Sequence, residues 1–183
     1  MPDVVIVGGG AAGLSAGLFA AKNDLATVLY DTDQTWLHSA HLYNYLGIES
    51  RDGTAFLEDA RAHADSHGLD RREAAVTSVE RDGDGFAVAT EAESVAADYV
   101  VFATGTDRDL ATSLGCETTE DGLVDVDLSM ETSVDGAYAT GAMIRQDEWQ
   151  TIISAGDGAA AALSILTAEA GERVHDWDVP DED

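Results

Sequence analysis

The sequence predicts a single α/β domain: a parallel sheet of about five strands, helices on both sides, and a small antiparallel crossover ribbon. Three observations carry this reading. Val4–Val7, Ala26–Tyr30 and Tyr99–Ala103 are short, unbroken apolar runs, the pattern of parallel strands buried on both faces. The first run stops at Gly8-Gly9-Gly10 and passes into Ala11–Lys22, rich in helix formers. The second run then follows at about the 30-residue spacing of a β-α-β unit.

The remaining elements follow in order. Asp31 to Gly53 reads as irregular. Thr54 to His67 has amphipathic helical spacing, with Thr54 as expected N-cap and Gly68 as stop. Ala74–Val79, Phe86–Thr90 and Ser94–Val95 are short strands, the first two joined by a hairpin-type turn at Arg81-Asp82-Gly83-Asp84-Gly85. Val124 and Val126 alternate with acids and predict a half-exposed strand, and Ala137–Thr140 a buried one. Trp149 to Ala170 predicts a long alanine-rich helix. Residues 1–175 form one expected domain, and 176–183 a loose acidic tail.

Composition narrows the function. The chain has 183 residues, 36 acidic and only 9 basic side chains, and a formal charge of −27; Lys22 is its only lysine. Such a surface repels nucleic-acid phosphates and anionic membranes, so neither is an expected partner. Self-repulsion is screened in molar salt, where the Debye length is about 3 Å, so acid-rich and lysine-poor composition predicts a halophilic protein. Cys116 is alone, which leaves no intramolecular disulfide or CxxC pair, and it reads as a small buried hydrophobe. No secretory leader is expected, the longest apolar stretch, Ala159–Ala168, is too short to span a membrane, and the expected location is cytoplasmic.

The glycine cluster carries the chemistry. Gly8-x-Gly10-x-x-Gly13 lies between strand and helix, and Asp31 ends the next strand. Gly8 suits the tight turn, Gly10 the close approach of backbone to a pyrophosphate, and Gly13 the packing of helix on strand. Asp31 is placed to accept from a ribose diol and disfavours a 2′-phosphate, so FAD or NAD fits better than NADP.

With these residues, VVIVGGGAAGLSAGLFAAK resembles the start of the FAD domain of the thioredoxin-reductase-like pyridine nucleotide-disulfide oxidoreductases. Asn44-Tyr45-Leu46-Gly47 resembles the family's Asn-x-Pro-Gly segment, and Tyr99–Thr106 its strand ending in Ala-Thr-Gly. Thr132–Gly141 is similar to the segment ending in Gly-Asp, and Gln150–Gly158 to the entry of its last helix. The resemblance implies a three-layer FAD/NAD(P)-binding Rossmann-like fold with FAD as cofactor. It implies pyrophosphate contacts at Gly8, Gly10, Ala11, Ala12 and Gly13, adenosine ribose at Asp31, and adenine against the backbone of Val76. Thr104 and Gly105 would pass near the ADP half, and Gly141 near the pyrophosphate and ribityl chain. Asn44, Gln150 and Thr151 would border the isoalloxazine.

The sequence also departs from that pattern. Thr106 to Glu131 leaves no room for a nicotinamide domain, and neither a second GxGxxG nor the redox CxxC occurs. Trp36-Leu37-His38 replaces Gly-Gly-Gln, Leu46 the proline, and Ala142 the aspartate that holds the ribityl chain. Other candidates carry bland readings beside functional ones. His63 and His67 have metal-ligand spacing but no evident third ligand, and no metal is expected. His38 and His41 are candidate proton carriers in a loop near the flavin. Trp36 and Tyr43 either stack on the ring or close the pocket, and Trp149 stands where the family usually has Arg.

The functional expectation is an FAD-dependent oxidoreductase whose flavin carries electrons from an external donor, such as a protein partner. Alone, it is not expected to reduce thioredoxin with NADPH. A homodimer is expected, because the family associates through its FAD domains. Two alternatives stay open: a non-catalytic dinucleotide-binding or regulatory module, and one subunit of a split flavoenzyme.

Overall fold

A computed structural model describes residues 1–179; the last four residues of the acidic tail, 180–183, lie outside the described residues. The chain runs β1 (Val4–Val7), α1 (Ala11–Lys22), β2 (Thr27–Asp31), β3 (His41–Leu42), β4 (Arg51–Asp52), α2 (Gly53–Ser66) and β5 (Asp70–Glu73). It continues through β6 (Val76–Asp82), β7 (Gly85–Thr90), β8 (Ser94–Ala97), β9 (Tyr99–Phe102), α3 (Asp109–Leu114), β10 (Ala137–Ala139) and α4 (Thr151–Ala170). Five strands form a sheet in the order β10-β9-β1-β2-β5, parallel throughout. β6-β7-β8 form the separate antiparallel ribbon.

The apolar runs sit where two-faced burial requires them. β1 is central, with Val4, Val5 and Ile6 fully buried, in register with Thr27–Tyr30 on one side and Tyr99–Phe102 on the other. Val5, Tyr30, Phe102 and the ribbon residues Phe86 and Val88 share one core, while Ile6, Leu29, Leu57 and Ile165 share the other. One layer is therefore the ribbon and the second is helical, with α1 packed against both α2 and α4.

Four expectations are corrected. The fifth sheet strand is β5, Asp70–Glu73, a segment where no strand was expected. β5 is an edge strand whose side chains reach solvent, so its parallel pairing with β2 leaves no apolar signature. Val124 and Val126 make only isolated bridges, to Thr118 and Thr132, while Val124 is buried in the core. The N-cap of α2 is Asp52, whose carboxylate accepts from the amides of Thr54 at 3.0 Å and Ala55 at 3.1 Å; Thr54 lies inside the helix. Finally, α4 is 20 residues long with a mean hydropathy of 1.4 over its most apolar window, so by length and composition alone it reaches the span of a membrane. Within this fold α4 packs on α1, with Gly158 against the Ala12 carbonyl and the buried Asp157 paired with Arg145.

Between Asp31 and Gly53, expected to be irregular, Trp36–Ser39 forms a 3₁₀ turn and β3 pairs with β4. The start of the acidic tail is tied down: Lys22 Nζ meets Asp176 at 2.6 Å and Asp178 at 2.7 Å.

Candidate functional site

A cleft of about 770 Å³ opens at the carboxyl ends of β1, β2 and β9, where ligands bind in open α/β sheets. Its floor is the turn between β1 and α1. Gly8 has φ +107, a conformation that L side chains rarely adopt, and a Cβ there would sit 2.7 Å from the Ala103 carbonyl carbon. A Cβ on Gly13 would sit 3.0 Å from the Gly8 carbonyl carbon and overlap its oxygen, so α1 approaches the turn only because this position is glycine.

Gly10 differs in kind. Its backbone is extended, φ −78 and ψ −168, and a Cβ would meet only Thr35 Oγ1, at 3.4 Å. The structure does not need glycine here; the space its missing side chain leaves belongs to the cleft. Gly10 caps α1 without a side-chain hydrogen bond, so the first-turn amides of α1 have no intrahelical acceptor. Unpaired amides and an empty approach fit a dinucleotide pyrophosphate.

Asp31 ends β2 and faces the cleft with its side chain one-fifth exposed. Its Oδ1 accepts from the Gly9 amide at 3.1 Å, and its Oδ2 from Arg61 Nη2 at 3.4 Å. Opposite, Thr104 and Gly105 follow β9, and Val76 begins the ribbon, all three on the cleft wall. At the far end stand Gly141, Ala142, Trp149, Thr151 and Ser154. α4 begins there at Thr151, again without a side-chain cap.

Of the residues singled out from the sequence, the cleft gathers Gly8, Gly10, Ala11, Ala12, Asp31, Val76, Thr104, Gly105, Gly141 and Thr151. Gly13 lies behind the turn. Asn44 and Gln150 are off the cleft wall and bonded to each other, Asn44 Nδ2 donating to Gln150 Oε1 at 2.6 Å. That bond ties the 43–46 loop to the start of α4.

The aromatic candidates separate. Trp36 and Trp149 both line the cleft, their rings tilted at 51° with centroids 5.5 Å apart. Tyr43 instead stacks on His41, 4.5 Å away, and points to solvent. His38 bonds Asp33 and Thr54 rather than entering the cleft. His63 and His67 meet edge-on on the surface. Cys116 is buried beside Thr132 Oγ1, and burial pushes its thiol up, away from the reactive thiolate.

Sequence reasoning missed Arg61 and the wall residues Gln34 and Thr35. Arg61 sits on a helix that looks amphipathic and ordinary in sequence, and only the tertiary packing of α2 brings it beside Asp31.

Comparison with known proteins bears on the family and the fold. Residues 3–41 match the model for the FAD binding domain, and residues 53–159, more than half of the chain, match that for the pyridine nucleotide-disulphide oxidoreductases. Among solved structures, a thioredoxin reductase from Gloeobacter violaceus matches with TM-score 0.88 and 21% identity, covering 97% of this chain and 99% of that one. The T. acidophilum thioredoxin reductase matches with TM-score 0.86 and 19% identity, covering 92% and 99%. A ferredoxin-flavin thioredoxin reductase from Clostridium acetobutylicum matches with TM-score 0.82 and 17% identity, covering 93% and 99%. At these identities the likeness is one of fold. No curated protein matches the chain. FAD is the cofactor that the glycine turn, Asp31 and the matched domain support. The fold is that of a thioredoxin-reductase-like FAD domain, and the chain belongs to the pyridine nucleotide-disulphide oxidoreductase family.

Proposed function

We propose that this chain is a flavin-based electron carrier, an FAD oxidoreductase that takes electrons from an external donor. One observation carries the reading: the same cleft of about 770 Å³ is lined by Asp31 and Val76 and also by Gly141, Trp149 and Thr151, residues from both expected halves of a dinucleotide site. In this reading the turn at Gly8 and Gly10, with the Ala11 and Ala12 amides, holds the pyrophosphate, with Gly13 setting the packing behind it. Asp31 accepts from the ribose diol, the Val76 backbone borders adenine, and Thr104 and Gly105 flank the ADP half. Gly141 faces the pyrophosphate and ribityl chain, and Asn44, Gln150 and Thr151 frame the flavin end. FAD supplies reversible hydride and electron transfer there. The uncapped start of α4 favours negative charge near it.

The segment joining β9 to β10 holds only the six-residue helix α3. The nicotinamide domain that the family resemblance would place in this segment is not accommodated there, which supports a separate donor, including a protein. Trp36, Tyr43, Leu46 and Trp149 are exposed around the flavin end and offer an apolar face for a partner or a second copy. A dimer in molar salt, measured by light scattering, fits that reading, as does function in a salt-rich cytoplasm. Ala142 favours a second reading, a dinucleotide-binding module without turnover, since it puts a methyl group on the cleft wall where relatives have a carboxylate.

A turnover assay separates the two. The protein, loaded with FAD in molar salt, is given NADH or NADPH with a dye or thioredoxin as acceptor. Dye reduction without NADPH-dependent thioredoxin reduction supports the electron carrier. Vigorous NADPH-dependent thioredoxin reduction contradicts the external-donor reading, and no electron transfer to any acceptor favours the module.

A further inference from the structure

The ribose end of the cleft is backed by a side chain that does not line it. Arg61 lies in α2 with its side chain 19% exposed. Its Nη2 donates to Asp31 Oδ2 at 3.4 Å and more closely to Asp33 Oδ1. Its Nε is the one buried side-chain nitrogen or oxygen without a hydrogen-bond partner among the described residues. The guanidinium is therefore held in place by two carboxylates through Nη2, while its buried Nε–H donor goes unused. Asp33 is held in turn by His38 Nε2 at 2.8 Å, and His38 Nδ1 meets Thr54 Oγ1 of α2 at 3.0 Å.

The consequence falls on Asp31. A carboxylate offers about four lone-pair directions. The Gly9 amide occupies one on Oδ1 and Arg61 one on Oδ2. With one donor on each oxygen the carboxylate plane is fixed, and the two remaining directions are free for two hydroxyl donors. A lone Gly9 contact would leave the group to rotate about its side-chain torsion.

We propose that Arg61 is a positioning residue for nucleotide recognition: it orients Asp31 so that the cleft reads the 2′,3′-diol of an adenosine ribose. The proposal rests on the nucleotide reading of the cleft given above. It assigns to α2 the second of the two contacts that fix Asp31, the first being the Gly9 amide, and it requires a guanidinium that serves Asp31 and Asp33 together.

The test compares ADP with 2′-deoxy-ADP by titration calorimetry in molar salt, using the full chain freed of bound nucleotide. The deoxy nucleotide lacks one hydroxyl, and losing a hydrogen bond to a charged acceptor weakens binding about tenfold or more. The wild type is expected to prefer ADP about tenfold. Arg61→Met should reduce that preference to about twofold or less, while its affinity for 2′-deoxy-ADP moves by less than about threefold. Arg61→Gln, polar but neutral, should behave alike and carries the test if the methionine variant does not fold. A wild-type preference in whichever variant folds overturns the proposal, as does equal weakening of both nucleotides with the ratio intact, the mark of a purely structural role. Failure of the wild type to bind either nucleotide overturns the cleft reading itself, and the inference with it.

Discussion

Replacing Gly10 by Val separates the needs of the fold from those of the cofactor. The backbone at Gly10 is extended and accepts any side chain, and the only heavy atom within 4 Å of an added Cβ is Thr35 Oγ1, at 3.4 Å. Valine is a poorer helix N-cap than glycine, but it also restricts the unfolded chain, and these effects oppose each other at about 1 kcal/mol or less apiece. The cofactor-free protein should therefore keep its stability to within about 1 kcal/mol. The two γ-methyl groups, however, fill the approach to the first-turn amides of α1. Charge-assisted hydrogen bonds of that kind contribute about 1.5–3 kcal/mol each, so losing two weakens nucleotide binding by about 3–6 kcal/mol, a factor of 100 or more. The assay pairs a melting curve of the cofactor-free protein with a flavin-binding titration, both in molar salt. A Gly10→Val protein that melts normally and binds FAD within threefold of the wild type would refute the placement of the pyrophosphate at this turn.

Gly158→Val should do the reverse, because its Cβ would lie 2.8 Å from the Ala12 carbonyl carbon at the α1–α4 crossing. A cost of about 3 kcal/mol corresponds to a fall of about 6–12 °C in Tm, read by circular dichroism; an unchanged Tm would contradict the packing described. Dilution from molar to millimolar salt should lower the melting temperature of the wild type, since 36 acidic residues face 9 basic ones, and a salt-independent melting temperature would contradict the halophilic reading.

The parts of this fold that were legible in the sequence are those where side chains alone decide the structure. Val4–Val7 must be buried on both faces whatever surrounds it, and the glycine turn after it admits few alternatives. β5 was not legible because an edge strand is specified by backbone pairing with β2, and Asp70, Arg71, Arg72 and Glu73 offer no apolar pattern. Val124 misled for the opposite reason: its burial comes from packing into the ribbon-side core and not from a sheet ladder. The cap of α2 was displaced by two residues because both Asp52 and Thr54 are good caps, and the carboxylate that reaches two amides at once prevails.

In the site, the β1–α1 turn and Asp31 are local in sequence and were read directly. Gln34 and Thr35 were not, because they join the cleft only after the 31–40 segment folds over it, and Arg61 was not, because only the packing of α2 brings it beside Asp31. Asn44 and Gln150 illustrate a finer limit. Their proximity follows from the resemblance, but their mutual hydrogen bond at 2.6 Å is a tertiary fact that neither segment announces.

The most direct test of the account is the identity of the small molecule released when the protein, purified in molar salt, is denatured. The released molecule should be FAD, identified by mass and by flavin absorption, at a stoichiometry approaching one per chain. Release of NAD, of a mononucleotide, or of no nucleotide from a protein that also fails to take up added FAD would contradict it.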